Sequence, residues 1–163
     1  MRLQNKIAFI TCAQHPCARA IALGFAGEGA HCVVGDEAAD RAEKLAAELR
    51  SLGRQSLPLS FNLTQKLSVE EAVRRAVTEF GRIDVLLNCS GITQQADFLG
   101  FAEEAFNQCI ERGPKAYFLI CQAVGRQMAA QRSGKSSIYP RRTRASLPES
   151  PPATASLIPA STL

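Results

Sequence analysis

The sequence predicts an α/β chain on a doubly wound parallel sheet, incomplete at about four to five strands. Three observations predict it. Short apolar runs recur at residues 6–11, 31–35, 55–61 and 83–88. Segments of helical period separate them, at 18–27, 38–52 and 68–80. Each such segment is 10 to 15 residues long, enough for a crossover helix, and strands that alternate with helices in this way run parallel with right-handed connections.

Residues 6–11 (KIAFIT) form an unbroken apolar run with branched side chains, as in a strand buried on both faces. Ala18, Ile21, Ala22 and Phe25 then recur at helical spacing, and Glu28-Gly29 supplies a glycine stop. Residues 31–35 (HCVVG) give a second strand closed by Asp36. The helix over 38–52 turns Leu45 and Leu49 inward and ends before Gly53. A third strand over 55–61 is weakened by Pro58. The third helix is expected at 68–80, with Ser68 as its cap and Glu71 completing a capping box before Gly81 stops it. Residues 83–88 form the fourth strand. Residues 103–131 are helical, with an interruption expected at Gly113-Pro114.

At 163 residues the chain is long enough for one domain, placed at 1–138. From Tyr139 onward five of 25 residues are proline and no apolar periodicity survives, so 139–163 reads as a disordered Pro/Ser-rich tail. The net charge of +4 owes part of its excess to Arg141, Arg142 and Arg144, and the body mixes both signs, which argues against a nucleic-acid partner. No apolar run is long enough to cross a membrane. The six cysteines form no CxxC pair and no zinc spacing, so no metal site is expected. They read as reduced, mostly buried residues of a cytoplasmic protein without a signal peptide.

In a parallel sheet, ligands bind beyond the C-terminal strand ends, where strand order reverses. Those ends are Thr11-Cys12, Gly35-Asp36, Phe61-Asn62 and Asn88-Cys89. Lys6 to Thr11, Arg19-Ala20-Ile21-Ala22, Asp36, the run FGRIDVL at 80–86, Asn88, Gly91-Ile92 and Lys115 together resemble the short-chain dehydrogenase/reductase family. The resemblance spans roughly residues 1 to 138 and implies a Rossmann-like dinucleotide-binding domain.

The resemblance also shows which positions have been exchanged. The family's first turn reads Thr-Gly-x-x-x-Gly-x-Gly; here Cys12, Pro16 and Ala18 stand at its glycines after Thr11. Cys12 brings a side chain to a turn that needs positive φ, and Pro16 removes a donor. Both a weakened dinucleotide site and a plain strand-turn-helix that binds nothing stay open. His15 lies in the same turn, either against a phosphate or simply solvated. Asp36 stands where the family carboxylate accepts from ribose hydroxyls, which favours NAD over NADP; the alternative is a solvated loop acid. Asn62 stands where the family has an Asp for the adenine amino group. Asn88-Cys89-Ser90-Gly91 replaces Asn-Asn-Ala-Gly, so Asn88, Cys89 and Gly91 would line the adenosine side.

Family catalysis uses a Tyr-x-x-x-Lys pair, a preceding Ser and an Asn, and the Asn position holds Gly113. No Tyr-x-x-x-Lys occurs: Tyr117 is followed four positions later by Cys121, and Tyr139 by Thr143. No catalytic residue is therefore assigned. By resemblance the chain is an NAD(P)-dependent oxidoreductase expected to be inactive, a truncated pseudoenzyme. The alternatives are a non-catalytic dinucleotide-binding or subunit-interaction module, or a product of a frameshift near codon 138 with no ligand. The substrate stays unknown, and loss of later strands would expose a helix or strand edge for a homo-oligomer.

Overall fold

The computed structural model describes residues 1–91 and 98–138. The expected tail at 139–163, and Ile92 of the resemblance, lie outside the described residues. Five parallel strands form one sheet: β1 (Ile7–Thr11), β2 (His31–Asp36), β3 (Ser56–Ser60), β4 (Val85–Asn88) and β5 (Lys135–Ile138). Their order is β3-β2-β1-β4-β5, so the chain reverses its direction of growth between β1 and β4. A crevice therefore opens beyond the C-terminal ends of those two strands.

The alternation of side chains along β1 divides the core. Ala8 and Ile10 face α1 (Pro16–Gly27) and α2 (Ala39–Ser51), where Ala18, Ala22, Leu45 and Leu49 cover them. Ile7 and Phe9 face α3 (Lys66–Phe80) and α5 (Ala116–Gln131), where Val69, Val73, Ile120 and Val124 cover them. Pro58 is tolerated because β3 is an outer strand of the sheet.

Two local expectations need correction. Helix α3 starts at Lys66 with Gln65 as its cap residue, and no side chain caps it. The Ser68 hydroxyl instead accepts the Asn62 N–H at 3.0 Å, because the turn before the helix folds back on its first residues. Gly113-Pro114 does not interrupt the last helix either. The helix α4 (Glu103–Ile110) continues into α5 through a π-turn at Glu111–Lys115 that holds Pro114. Widening the turn accommodates a residue with no N–H. Helix α4 buries none of its residues, and Phe106, Ile110 and Phe118 stay exposed along this stretch.

At the opposite end of the sheet from the crevice, buried Asp84 ties β1 to the start of β4. It accepts from the Ile7 N–H at 3.0 Å and pairs with Lys6 at 3.4 Å and with Arg82. Burial works to raise the Asp84 carboxyl, but the Ile7 N–H, Arg82 and Lys6 outweigh it and hold the group below its ordinary value. A depressed folded value contributes stability that is complete above the unfolded pKa of about 3.9 and lost as pH falls through the folded one. The melting temperature is expected to drop as the pH is lowered below about 4, and less steeply in Asp84→Asn. Parallel acid profiles of the two proteins would exclude this role for Asp84.

Candidate functional site

The crevice holds a cleft lined by Cys12, Gln14, Asp36, Arg41, Phe61 and Thr64, with Ser90, Gly91, Arg112 and Ala116 on its β4 and α5 side. Of the residues expected from sequence, Cys12, Asp36 and Gly91 reach it. Thr11, Ala18, Asn88 and Cys89 are buried behind it. Thr11 is the seam between β1 and β4: its hydroxyl donates to Asn88 Oδ1 at 2.8 Å and accepts the Cys89 N–H at 3.0 Å. Asn88 Oδ1 also accepts the Ser90 N–H at 3.1 Å, which curls the chain toward Gly91 at φ +128.

Asp36 is not a solvated loop acid; its side chain is 2% exposed. Oδ2 accepts the Gln14 N–H at 3.2 Å, while Oδ1 accepts the Ala38 N–H at 3.1 Å and Arg41 Nε at 2.8 Å. The carboxylate thus fixes the β1–α1 turn against the start of α2, and Arg41 offsets its charge. Asn62 closes its own turn: Oδ1 accepts the N–H and the hydroxyl of Thr64, both at 2.8 Å. Thr64 rather than Asn62 then faces the cleft.

His15 caps α1, its Nδ1 accepting the Cys17 N–H at 3.2 Å, with Pro16 at the first helical position. The other donors of this turn are also engaged. Ala13 donates to the Gly35 carbonyl at 3.2 Å, and His15 to the Cys12 carbonyl at 2.8 Å.

Cys12 takes φ +57, so the turn does require the left-handed region that glycine favours. Burial, then the nearby Asp36 carboxylate, push its thiol up to about 12, which keeps it protonated and unreactive. Left-handed backbone costs a residue with a side chain roughly 1–2 kcal/mol. Cys12→Gly is therefore expected to melt within a few degrees of the parent, strain relief offsetting the lost thiol contacts. Cys12→Val, branched at Cβ, is expected to lose roughly 2 kcal/mol in thermal unfolding. Equal melting of the two variants would show that the turn is unstrained.

The strand ends named from sequence included Phe61, but the sequence pattern did not disclose Arg41, Thr64 or Arg112 as cleft residues. Arg41 lies five positions beyond Asp36, in the first turn of α2, and that spacing was its one available signal. Arg112 reaches the cleft because the π-turn carries it there. Among the described residues no group of His, Cys, Asp and Glu could hold a metal, and no helix is long and apolar enough to cross a membrane.

Residues 6–136 match the family described as short chain dehydrogenase. The chain belongs to the short-chain dehydrogenase/reductase family. Among similar members, the 3-oxoacyl-(acyl-carrier-protein) reductase FabG of Thermotoga maritima is 35% identical over 134 residues, covering 82% of this chain and 54% of the reductase. The 5-keto-D-gluconate 5-reductase of Escherichia coli K12 is 36% identical over 115 residues, covering 71% and 45%. The crystal structure of NAD+-bound xylitol dehydrogenase superposes with a TM-score of 0.82 at 26% identity, covering 85% and 54%. The chain spans about half the length of these relatives.

The family's nicotinamide dinucleotide can be tested against this cleft. At the adenosine end the polar groups fit as acceptors, with the Asp36 carboxylate and the Thr64 hydroxyl oxygen near the Gly91 turn and a partly apolar wall at Phe61 and Leu63. At the phosphate end the backbone does not fit, since residues 13 to 17 offer no uncommitted backbone N–H.

Proposed function

We propose that this chain is a non-catalytic, nucleotide-binding member of the short-chain dehydrogenase/reductase family. The supporting observation is the cleft at the β1–β4 crevice, walled by Asp36, in a sequence without a Tyr-x-x-x-Lys pair. A bound nicotinamide cofactor supplies hydride chemistry, and the protein must then supply a proton donor or acceptor beside the substrate. Burial pushes the Tyr117 hydroxyl above the usual phenol range, which disfavours a tyrosinate there. Asp36 favours NAD over NADP, although its ion pair with Arg41 softens the repulsion of a 2'-phosphate. The six free thiols suit a reducing, cytoplasmic setting.

Titration with NADH, followed by its fluorescence and by thermal shift, tests binding; a panel of alcohols and carbonyl compounds tests turnover. The expected outcome is saturable binding without turnover above background. Absence of binding would leave a scaffold without this ligand. Carbonyl reduction abolished by Tyr117→Phe would overturn the non-catalytic reading. Sedimentation velocity on the same sample reads whether a second copy covers exposed Phe106, Ile110 and Phe118.

A further inference from the structure

The turn between β1 and α1 spends its donors on the protein itself. The Ala13 N–H is held by the Gly35 carbonyl and the Gln14 N–H by Asp36 Oδ2. The His15 N–H is held by the Cys12 carbonyl, Pro16 has none, and the Cys17 N–H is capped by His15 Nδ1. Five consecutive positions therefore present no uncommitted backbone N–H to an approaching phosphate, and the Gln14 side-chain amide is the one donor of this turn that lines the cleft. A pyrophosphate seated there would have to break these bonds, and the helix N-terminus that attracts anions is already capped. The cleft itself is walled by Asp36, Phe61, Leu63, Thr64 and Gly91, at the ends of β2, β3 and β4.

We infer that the cleft selects the adenosine moiety alone, and that the rest of a dinucleotide adds nothing to affinity. This rests on the nucleotide reading proposed above and narrows it: the ligand class is adenosine and its simple phosphates. Beyond the three bonds it already accepts, Asp36 keeps one acceptor site, on Oδ2, for a ribose hydroxyl. Two charge-assisted bonds from the turn to a pyrophosphate would separate NAD from adenosine by at least about a hundredfold. With those donors committed, the separation vanishes.

Isothermal titration calorimetry of the full chain with adenosine, AMP, ADP-ribose and NAD tests this. The expected result is that all four dissociation constants agree within about fivefold, since each 1.4 kcal/mol is tenfold. NAD or ADP-ribose binding more than fivefold tighter than adenosine would overturn the inference, including the case where Arg112 supplies the missing charge. A lack of heat with all four ligands, adenosine included, would sink the underlying nucleotide reading instead, and this inference with it. A second arm uses the double variant His15→Gly, Pro16→Gly, which frees the Cys17 N–H and restores one at position 16. NAD is expected to gain at least tenfold while adenosine stays unchanged. An unchanged NAD constant in a variant that melts like the parent would show that these donors are not the cause.

Discussion

Gly35→Val is expected to lower the melting temperature by roughly 10 °C. A Cβ at position 35 would overlap the ring of Phe61 and lie 3.4 Å from the Ile10 carbonyl. Phe61 cannot yield easily. It is buried, and it meets Phe9 edge-on, with centroids 6.0 Å apart and planes at 73°. Overpacking of this kind costs about 1–3 kcal/mol or somewhat more, and each kcal/mol moves the midpoint by roughly 3–4 °C at this size. Phe61 also walls the cleft, so nucleotide affinity should fall with stability. The check is a double-mutant cycle with Phe61→Leu, in which the smaller side chain returns much of the loss. Additive losses would mean that the two residues do not collide.

The second large effect is expected from Thr11→Val, which preserves shape and deletes one hydroxyl. The Cys89 N–H would lose its acceptor at 3.0 Å, and Asn88 Oδ1 one of its two donors. Thr11, Asn88 and Ser90 are all buried, so water cannot easily replace the missing partner. An unsatisfied buried group costs about 1–3 kcal/mol, so a loss near 2–3 kcal/mol is expected in chemical denaturation. Thr11→Ser, which keeps the hydroxyl, should recover most of it. If valine and serine behave alike, packing rather than the hydrogen bonds joins β1 to β4.

Much of the scaffold could be read in the residues because local and global signals agree. Unbroken apolar runs such as IAFIT mark strands covered on both faces. Of the helical spacing Ala18, Ile21, Ala22 and Phe25, the two alanines lie on the buried face of α1 that approaches the sheet. Gly81, at φ +75, stops α3 where the sequence placed the stop. Short-range competition was not legible: Ser68 looked like a cap, yet the helix starts two residues earlier at Lys66 and the Ser68 hydroxyl accepts the Asn62 N–H. Nor was the π-turn, which absorbs Gly113-Pro114 without ending the helix.

The site divided along the same line. Cys12 and Asp36 could be found because they begin the turn after β1 and end β2, and Gly91 because it keeps the glycine of the family's Asn-Asn-Ala-Gly. Arg41, Thr64 and Arg112 enter through loop and helix geometry that no periodicity encodes. Most hidden of all was the commitment of backbone donors at residues 13 to 17. The identities of Pro16 and His15 hinted at it, but the bond from Gln14 to Asp36 depends on two chain segments meeting.

The strand order also sets a timetable for folding. Ile7 pairs with His31 across 24 positions, whereas Ala8 pairs with Val85 across 77. Closing the longer loop costs roughly 1 kcal/mol more in chain entropy, and non-local pairings form late. The β1-β2-β3 half can therefore assemble from near neighbours, and β4 must be recruited from far along the chain. The cleft lies on that late seam, so it comes into being only when the most distant pairing is complete, and it is the first feature to vanish when that pairing opens.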